Sequence, residues 1–146
     1  MATVHAACVA LGEAGILIRG PAGAGKSTLA ILLAAEADGT FIADDRVICD
    51  RRSGSIVARP HDALAGMVEV RGQGILSVAA LGLALRPEVD LRLAVDLLMD
   101  LPRLPEPPDE AEILDLHLPR LVLDRSVRRA GLATLLIRAA LRKWQP

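Results

Sequence analysis

The most informative segment of the chain is GPAGAGKST, residues 20–28. It matches G-x-x-x-x-G-K-[ST] at every fixed position. Glycines let a backbone wrap closely around phosphate oxygens because they carry no Cβ, and N–H groups at a helix N-terminus face a bound anion. The motif therefore predicts a nucleotide-binding P-loop formed by Gly20, Pro21, Ala22, Gly23, Ala24, Gly25, Lys26, Ser27 and Thr28.

The segments around this loop agree with that prediction. GILIRG (15–20) is a compact apolar run typical of a strand, and residues 25–37 have helical spacing with Gly39 as a stop. Lys26 would place a point charge near the β and γ phosphates, and Ser27 would offer a hydroxyl to Mg²⁺. The alternative is a glycine-rich turn that binds nothing.

Two acids end the next apolar run, TFIADD at 40–45. A carboxylate beside a P-loop can hold Mg²⁺ or accept the proton of an attacking hydroxyl. Because adjacent strand residues point to opposite faces, we expect one of Asp44 and Asp45 to face the nucleotide. The alternative is a solvated turn between strands.

Other charged residues are ambiguous from spacing alone. His5 lies in the strand-like run 3–11, directly before the loop strand, where a structural histidine is common. Glu69 and Arg71, in VEVRGQG, fit either a functional site or a salt bridge at the rim of a sheet. Arg103 and Arg120 read as ordinary surface cations.

The two cysteines are expected to be buried thiols. Cys8 and Cys49 both lie in apolar, strand-like runs, which favours burial over a disulfide or a metal pair. His61 and His117 have no metal-ligand spacing with them and are interpreted as structural.

Composition limits the class of protein. The 146 residues fit one domain, 1–146. A net charge of −1 and 1% aromatic residues argue against nucleic-acid binding, which favours basic stripes and stacking platforms. No apolar run reaches the length of a membrane span, and no leader is recognisable. We expect a cytoplasmic protein without membrane or nucleic-acid partners.

The rest of the chain predicts an α/β fold with a mixed sheet. From residue 46 onward we expect a hairpin from VICD and SIVAR that turns at 52–54, a helical turn at 61–67, and strand-like runs around Gly72 and Gly74. A strand at 91–98, a proline-rich loop at 101–110 and two short strands in EILDLHLPRLVLD are expected to follow. The last expected element is a helix at 125–143, capped by Asp124 or Ser126.

Four segments in order resemble the catalytic domain of HPr kinase/phosphorylase: VHAACVAL, GILIRGPAGAGKS, FIADDRV and VEVRGQGIL. The resemblance runs from about residue 3 to 105. It implies a P-loop core related to phosphoenolpyruvate carboxykinase, usually assembled as a hexamer. Members phosphorylate a serine of HPr, a small phosphocarrier of the sugar phosphotransferase system, and many reverse the reaction by phosphorolysis.

The resemblance also implies residue roles. His5 matches the catalytic histidine, Lys26 the P-loop lysine and Ser27 the Mg²⁺-binding hydroxyl. Asp44 matches the acid that takes the serine proton, and Glu69 a Mg²⁺-binding glutamate. Asp45 is a further candidate metal ligand, and Arg103, in P-R-L-P, resembles a catalytic arginine of an R-L-G motif.

The chain departs from the family pattern at two places. His5 almost opens the sequence, whereas many members carry an N-terminal domain of more than about a hundred residues; this looks like the short form of some Gram-negative bacteria. The run P-V-R-P-G-R-N, linked to dephosphorylation, is matched only by Pro119 and Arg120 in LPRLVLDRS, and Pro105 replaces the glycine of R-L-G. We therefore expect weak or absent phosphorylase activity.

The sequence thus predicts an ATP-dependent protein-serine kinase that acts on an HPr-type phosphocarrier with Mg²⁺. Pyrophosphate is an alternative donor, and the expected assembly is a homo-oligomer. The alternatives are a P-loop sensor that binds nucleotide without transferring phosphate and a small-molecule kinase. The latter is less favoured because no arginine-rich lid segment is recognisable.

Overall fold

The computed structural model describes residues 1–99 and 110–144. Three α-helices and eleven β-strands are assigned within these ranges. The strands are β1 (Ala2–His5), β2 (Ala7–Leu11), β3 (Ala14–Arg19), β4 (Gly39–Ala43), β5 (Arg46–Arg52), β6 (Ser55–Pro60), β7 (Met67–Val70), β8 (Gly74–Ser77), β9 (Val89–Leu97), β10 (Glu110–Ile113) and β11 (Leu116–Leu123). The helices are α1 (Lys26–Ala34), α2 (Arg125–Arg129) and α3 (Ala133–Lys143).

A mixed sheet organises the molecule, which confirms the α/β class. Strands β3, β9 and β11 run parallel, with β9 between the other two. Strand β2 is antiparallel to β3 on one side and to β4 on the other. Parallel strands carry their carboxyl ends to one edge, so the chain leaves β3 at the same edge as it leaves β9 and β11.

Strand β9 joins two layers of strands. Its first residues pair with β6, at Val57↔Asp90 and Ala58↔Val89. Its last residues pair with β11, from Arg120↔Ala94 to Leu123↔Leu97. The antiparallel layer formed by β1, β5 and β6 therefore diverges from the central strands, and the space between the two layers becomes a core.

Two hydrophobic cores flank the central strands. One lies beneath the helices and includes Ile18 of β3, Val95 of β9 and Ile137 of α3. The other lies between the strand layers and includes Cys8 of β2 and Leu17 of β3. Because neighbouring residues of β2 and β3 enter opposite cores, these strands are buried on both faces and read as continuous apolar runs.

Helix α1 is shorter than its spacing predicts, since it ends at Ala34 rather than at residue 37. Gly39 is more than a stop, because it opens β4 where that strand passes the end of the helix. A Cβ on Gly39 would lie 2.2 Å from the Leu33 carbonyl oxygen. Glycine therefore permits the close approach of helix and strand that brings β4 back into the sheet.

The single C-terminal helix predicted at 125–143 is wrong. Helix α2 ends at Arg129 and α3 begins at Ala133. Gly131, with φ of 76°, turns the chain between them. Of the two predicted caps, Asp124 is confirmed, since its carboxylate accepts a hydrogen bond from the Val127 N–H at 2.8 Å.

Helix α3 has two apolar faces. Ala133, Ile137 and Ala140 are buried in the core beneath the helices. Leu132, Leu135 and Leu136 are exposed on another face. The helix therefore covers the core and also presents leucines outward.

Most remaining elements confirm the sequence pattern. The β5–β6 hairpin turns at Ser53 and Gly54, which have φ of 50° and 81°. A 3₁₀ turn spans Asp62–Leu64, with the His61 ring accepting from the Ala63 N–H at 3.3 Å. The β7–β8 hairpin is a separate two-stranded sheet. The predicted loop at 101–110 falls largely outside the described residues.

The buried thiols are also confirmed. Cys8 and Cys49 are free and buried. Burial raises the pKa of Cys8 far above its ordinary value, and that of Cys49 to about 11. Separately, none of the helices in the described ranges is long and apolar enough to cross a bilayer.

Candidate active site

The glycine-rich loop, residues 20–25, connects β3 to α1 at the carboxyl edge of the parallel strands. Gly23 and Gly25 have φ of 80° and 96°, which L side chains rarely adopt. Gly20 is required by packing instead, since a Cβ there would lie 2.8 Å from the Leu97 carbonyl oxygen. The start of the loop therefore packs against the end of β9, and Gly23 and Gly25 have left-handed backbone conformations.

Lys26 folds back over this loop. Its ammonium donates to the Gly20 carbonyl at 2.8 Å and to the Pro21 carbonyl at 3.1 Å. The side chain also lines an open cleft beside the loop. An ammonium held at the mouth of a glycine-rich loop is suited to contact an anion that enters it.

Asp44 accepts hydrogen bonds from two other parts of the site. It is 6% exposed, and one carboxylate oxygen accepts the Ser27 hydroxyl hydrogen bond at 2.7 Å. The other oxygen accepts from the Glu69 backbone N–H at 3.1 Å. Asp44 thereby connects α1, the end of β4 and the β7–β8 hairpin through two neutral donors.

The expectation that only one of the paired acids faces the site is wrong. Strand β4 ends at Ala43, and Asp45 has a φ of 68°, so strand alternation no longer applies. Both Asp44 and Asp45 line the cleft. Asp45 differs in being 54% exposed at its side chain.

His5 faces Asp45 across the cleft mouth. The His5 Nε2 atom lies 3.5 Å from an Asp45 carboxylate oxygen, and the histidine side chain is 65% exposed. The strand assigned to it needs correction, because the run 3–11 divides at Ala6 and His5 ends β1 rather than lying on β2. Pairing of His5 with Arg46 in the β1–β5 ladder fixes its position beside the acids.

The β7–β8 hairpin forms a further wall of the cleft. Glu69 and Arg71 both line it. In the described part of the chain, the two side chains form no salt bridge with each other or with another residue. The rim salt bridge is therefore not the structural role of this pair, and both residues border the cleft.

The cleft has a volume of about 530 Å³ and gathers most of the predicted site. Gly20, Pro21 and Ala24 belong to the loop but do not line it. Arg103 lies outside the described residues. The lining residues are His5, Ala22, Gly23, Gly25, Lys26, Ser27, Thr28, Asp44, Asp45, Glu69 and Arg71.

The donors in this cleft suit Mg²⁺. Within the described ranges, no three His, Cys, Asp or Glu side chains are close enough to form a ready-made metal site. Mg²⁺ prefers oxygen ligands and is commonly held by one or two carboxylates together with substrate phosphates. The Ser27 hydroxyl next to Asp44, with Asp45 and Glu69 in the same cleft, fits that donor set.

A second buried acid was not predicted from the sequence. Asp96, in β9, is 8% exposed and accepts two hydrogen bonds from Arg19, from Nε at 2.7 Å and from Nη2 at 2.9 Å. Arg120 donates to the same carboxylate through Nε, so its interpretation as a surface cation is wrong. The signals were an arginine directly before the loop and one acid inside the apolar run LRLAVDLL.

The charge on Asp96 is compensated. Burial by itself would raise the pKa of Asp96, but hydrogen bonds from Arg19 and Arg120 outweigh it, so the pKa lies below its ordinary value. Nearby, Arg128 donates to the Leu98 and Leu123 carbonyls at 3.1 and 2.7 Å. Guanidinium groups therefore secure the ends of β3, β9 and β11.

Comparison with known proteins identifies the family of this chain. The family model for the HPr serine kinase C-terminal domain matches residues 1–145. HPr kinase/phosphorylase of Azoarcus sp. is 35% identical over 84% of this chain and 41% of its own length. The Mycoplasma mycoides relative is 39% identical over 51% of this chain and 23% of its own length. The chain thus spans about a quarter to two fifths of the length of these curated relatives.

The fold has a close structural match. The HPr(Ser) kinase/phosphatase of Coxiella burnetii superposes with a TM-score of 0.82, covering 98% of this chain and 99% of that one at 22% identity. At this identity the match supports the fold. The resemblance to HPr kinase/phosphorylase noted in the sequence is confirmed, and the chain belongs to the HPr serine kinase C-terminal domain family.

Proposed function

We propose that this chain is an ATP-dependent protein-serine kinase that acts on an HPr-type phosphocarrier. The observation that carries the proposal is the 2.7 Å hydrogen bond from Ser27 to Asp44. It joins the hydroxyl at the end of the P-loop motif to a buried acid, in the cleft that Lys26 also lines. Family membership agrees with the proposal.

The loop is suited to bind the ATP phosphates. Backbone N–H groups of the glycine-rich loop and the start of α1 would surround the β-phosphate, and Lys26 would exchange its carbonyl partners for phosphate oxygens. Ser27, with Asp45 and Glu69, would hold Mg²⁺, which supplies positive charge to neutralise the transferring phosphoryl group. Pyrophosphate offers the same recognition elements and is an alternative donor.

A serine hydroxyl needs a base as phosphoryl transfer proceeds. Its oxygen forms a bond to the γ-phosphorus, the bond from that phosphorus to the ADP oxygen breaks, and the hydroxyl proton passes to a carboxylate. The family resemblance assigns this carboxylate to Asp44. Both Asp44 oxygens already accept hydrogen bonds, whereas Asp45 is more open and lies beside His5. The two acids therefore require separate tests.

His5 is suited to assist the base. The His5 Nε2 atom lies 3.5 Å from an Asp45 carboxylate oxygen. A small shift of either side chain would let the ring hydrogen-bond to this carboxylate and orient it. The side chains of His5 and Asp45 are both more than half exposed, which would let a protein substrate reach them at the mouth of the cleft. Arg103, outside the described residues, keeps its proposed catalytic role by resemblance alone.

The test uses intact mass. A purified HPr-type carrier is incubated with the protein, ATP and Mg²⁺, with Asp44→Asn and Asp45→Asn variants in parallel. We expect the carrier to gain one phosphate with the wild type and a rate lower by about 10²- to 10⁴-fold with the variant that lacks the base. A carrier that gains no mass while the protein still binds ATP would contradict the kinase and favour the sensor.

We further propose that phosphorolysis of the phosphoserine is weak or absent. In that reaction inorganic phosphate attacks the phosphoserine, pyrophosphate forms and the serine hydroxyl regains its proton. Arg120, in the run that departs from the dephosphorylation motif, is engaged with buried Asp96 rather than with the cleft. Pyrophosphate release from phosphorylated carrier is the measurement, and rapid release would contradict the proposal.

The remaining expectations stay proposals of the same kind. A P-loop core related to phosphoenolpyruvate carboxykinase agrees with the loop between β3 and α1. A homo-oligomer, hexameric by family, agrees with the exposed leucines on α3. Light scattering coupled to size-exclusion chromatography measures the assembly, and a monomer at micromolar concentration would contradict it.

A further inference from the structure

The arginine–aspartate cluster, defined as Arg19, Asp96 and Arg120, crosses the three parallel strands. Arg19 and Asp96 are direct partners in the β3–β9 ladder. Their neighbours Ile18 and Val95 enter the core beneath the helices. Because side chains alternate along a strand, the cluster lies on the face of the sheet away from α1, where the mechanism above uses none of its members.

The cluster is connected to the glycine-rich loop by the chain itself. Arg19 directly precedes Gly20, and Gly20 packs so closely on Leu97 that a Cβ would lie 2.8 Å from its carbonyl oxygen. The Gly20 carbonyl in turn accepts from the Lys26 ammonium at 2.8 Å. A continuous path therefore runs from Asp96 through Arg19 and Gly20 to Lys26.

The geometry of the cluster makes this path rigid. Arg19 binds Asp96 in a bidentate manner, which fixes the plane of the guanidinium as well as its distance. Arg120 approaches the same carboxylate from β11. Removal of the charge on Asp96 would take away the bidentate partner that fixes Arg19 and the attraction that holds Arg120 beside it.

We infer that Asp96 is a positioning residue for phosphate binding. By holding Arg19 and Arg120 across β3, β9 and β11, it fixes the start of the glycine-rich loop and, through Gly20, the Lys26 ammonium. The inference rests on the proposed nucleotide-binding role of the loop. It assigns to β9 a part in the site, although no residue of β9 lines the cleft.

The experiment compares Asp96→Asn with Asp50→Asn. Asp50 is a matched control because it forms a part-buried pair with Arg59 on the antiparallel strands β5 and β6, outside the cleft. Two quantities are measured: the Kd of Mg·ATP by calorimetry, and hydrogen exchange of amides 24–30 relative to amides 47–58. The second readout does not require nucleotide.

We expect Asp96→Asn to raise the Kd of Mg·ATP by about 10- to 100-fold, the size of effect found at metal sites when an outer residue that orients a ligand is lost. Exchange at 24–30 is expected to accelerate relative to 47–58. Asp50→Asn should leave the Kd at its wild-type value. Arg19→Lys keeps the charge but loses the bidentate geometry, so we expect a smaller effect of the same sign.

A purely structural role would give a different result. If Asp96→Asn lowers stability but leaves both the Kd and the relative exchange at 24–30 unchanged, the inference is overturned. If Asp96→Asn does not fold, the same two readouts on Arg19→Lys decide. If the wild type binds no Mg·ATP, the proposed function fails, and the exchange comparison still tests whether Asp96 positions the loop.

Discussion

Asp44 and Asp96 are both buried carboxylates near the carboxyl edge of the central sheet, yet their partners differ. Asp44 accepts from a hydroxyl and a backbone N–H, which are neutral. Asp96 accepts from two guanidinium groups. Neither hydrogen-bond donor to Asp44 carries a charge, whereas the negative charge of Asp96 is compensated within the protein by its two arginine partners. The partners, rather than burial, distinguish the acid that we propose as reactive from the structural one.

The largest expected effect is on phosphate transfer by Asp44→Asn. If Asp44 is the base, the rate falls by about 10²- to 10⁴-fold while the Kd of ATP changes little, because the amide cannot accept the serine proton. Single-turnover transfer to the carrier measures the rate. A wild-type rate in this variant, with a large loss in Asp45→Asn, would assign the base to Asp45.

The next largest effect is on stability, and it distinguishes Asp96 from Asp44. Asp96→Asn is expected to lower the free energy of unfolding by about 3 kcal/mol, since it leaves two guanidinium groups without their shared carboxylate. Urea denaturation followed by circular dichroism measures it. Asp44→Asn, which loses no charged partner, should cost clearly less, and equal losses in the two variants would remove the contrast between the acids.

A smaller effect is expected from Ser27→Ala. The change removes the donor to Asp44 and one candidate Mg²⁺ ligand, so the Mg²⁺ concentration for half-maximal transfer should rise by about 10-fold. Titration of Mg²⁺ at saturating ATP measures this shift. Ser55→Ala, which removes an exposed hydroxyl on β6 outside the cleft, is the control and should leave the Mg²⁺ requirement unchanged.

The smallest effect concerns pH. The pKa of Asp96 is lowered from 3.8 in the folded protein. Its contribution to stability is therefore fully present above the unfolded pKa and is lost as the pH falls through the folded value. The difference in unfolding free energy between wild type and Asp96→Asn should stay constant from pH 7 to about 5 and shrink below about pH 4. A difference that does not begin to shrink as the pH falls below about 4 would contradict the assigned cause.

The elements that depend on local chemistry could be predicted from the order of the residues. The glycine-rich motif, the apolar run before it and the acids after β4 identified the strand, loop and helix, because glycine conformations, capping and strand patterns are properties of neighbouring residues. The Asp124 cap and the β5–β6 hairpin were predicted for the same reason. The helix at 125–143 was wrong because a single glycine, Gly131, redirected an otherwise helical pattern.

Which distant side chains meet depends instead on how the strands are arranged in the folded chain. The pairing of Arg19 with Asp96 spans 77 residues and depends on β9 inserting beside β3. The placement of Asp45 toward His5 depends on a left-handed residue after β4 and on the β1–β5 ladder. Sequence spacing carries no information on which strands become neighbours, so it recognised the loop and the acids but not the charges that hold the loop in place.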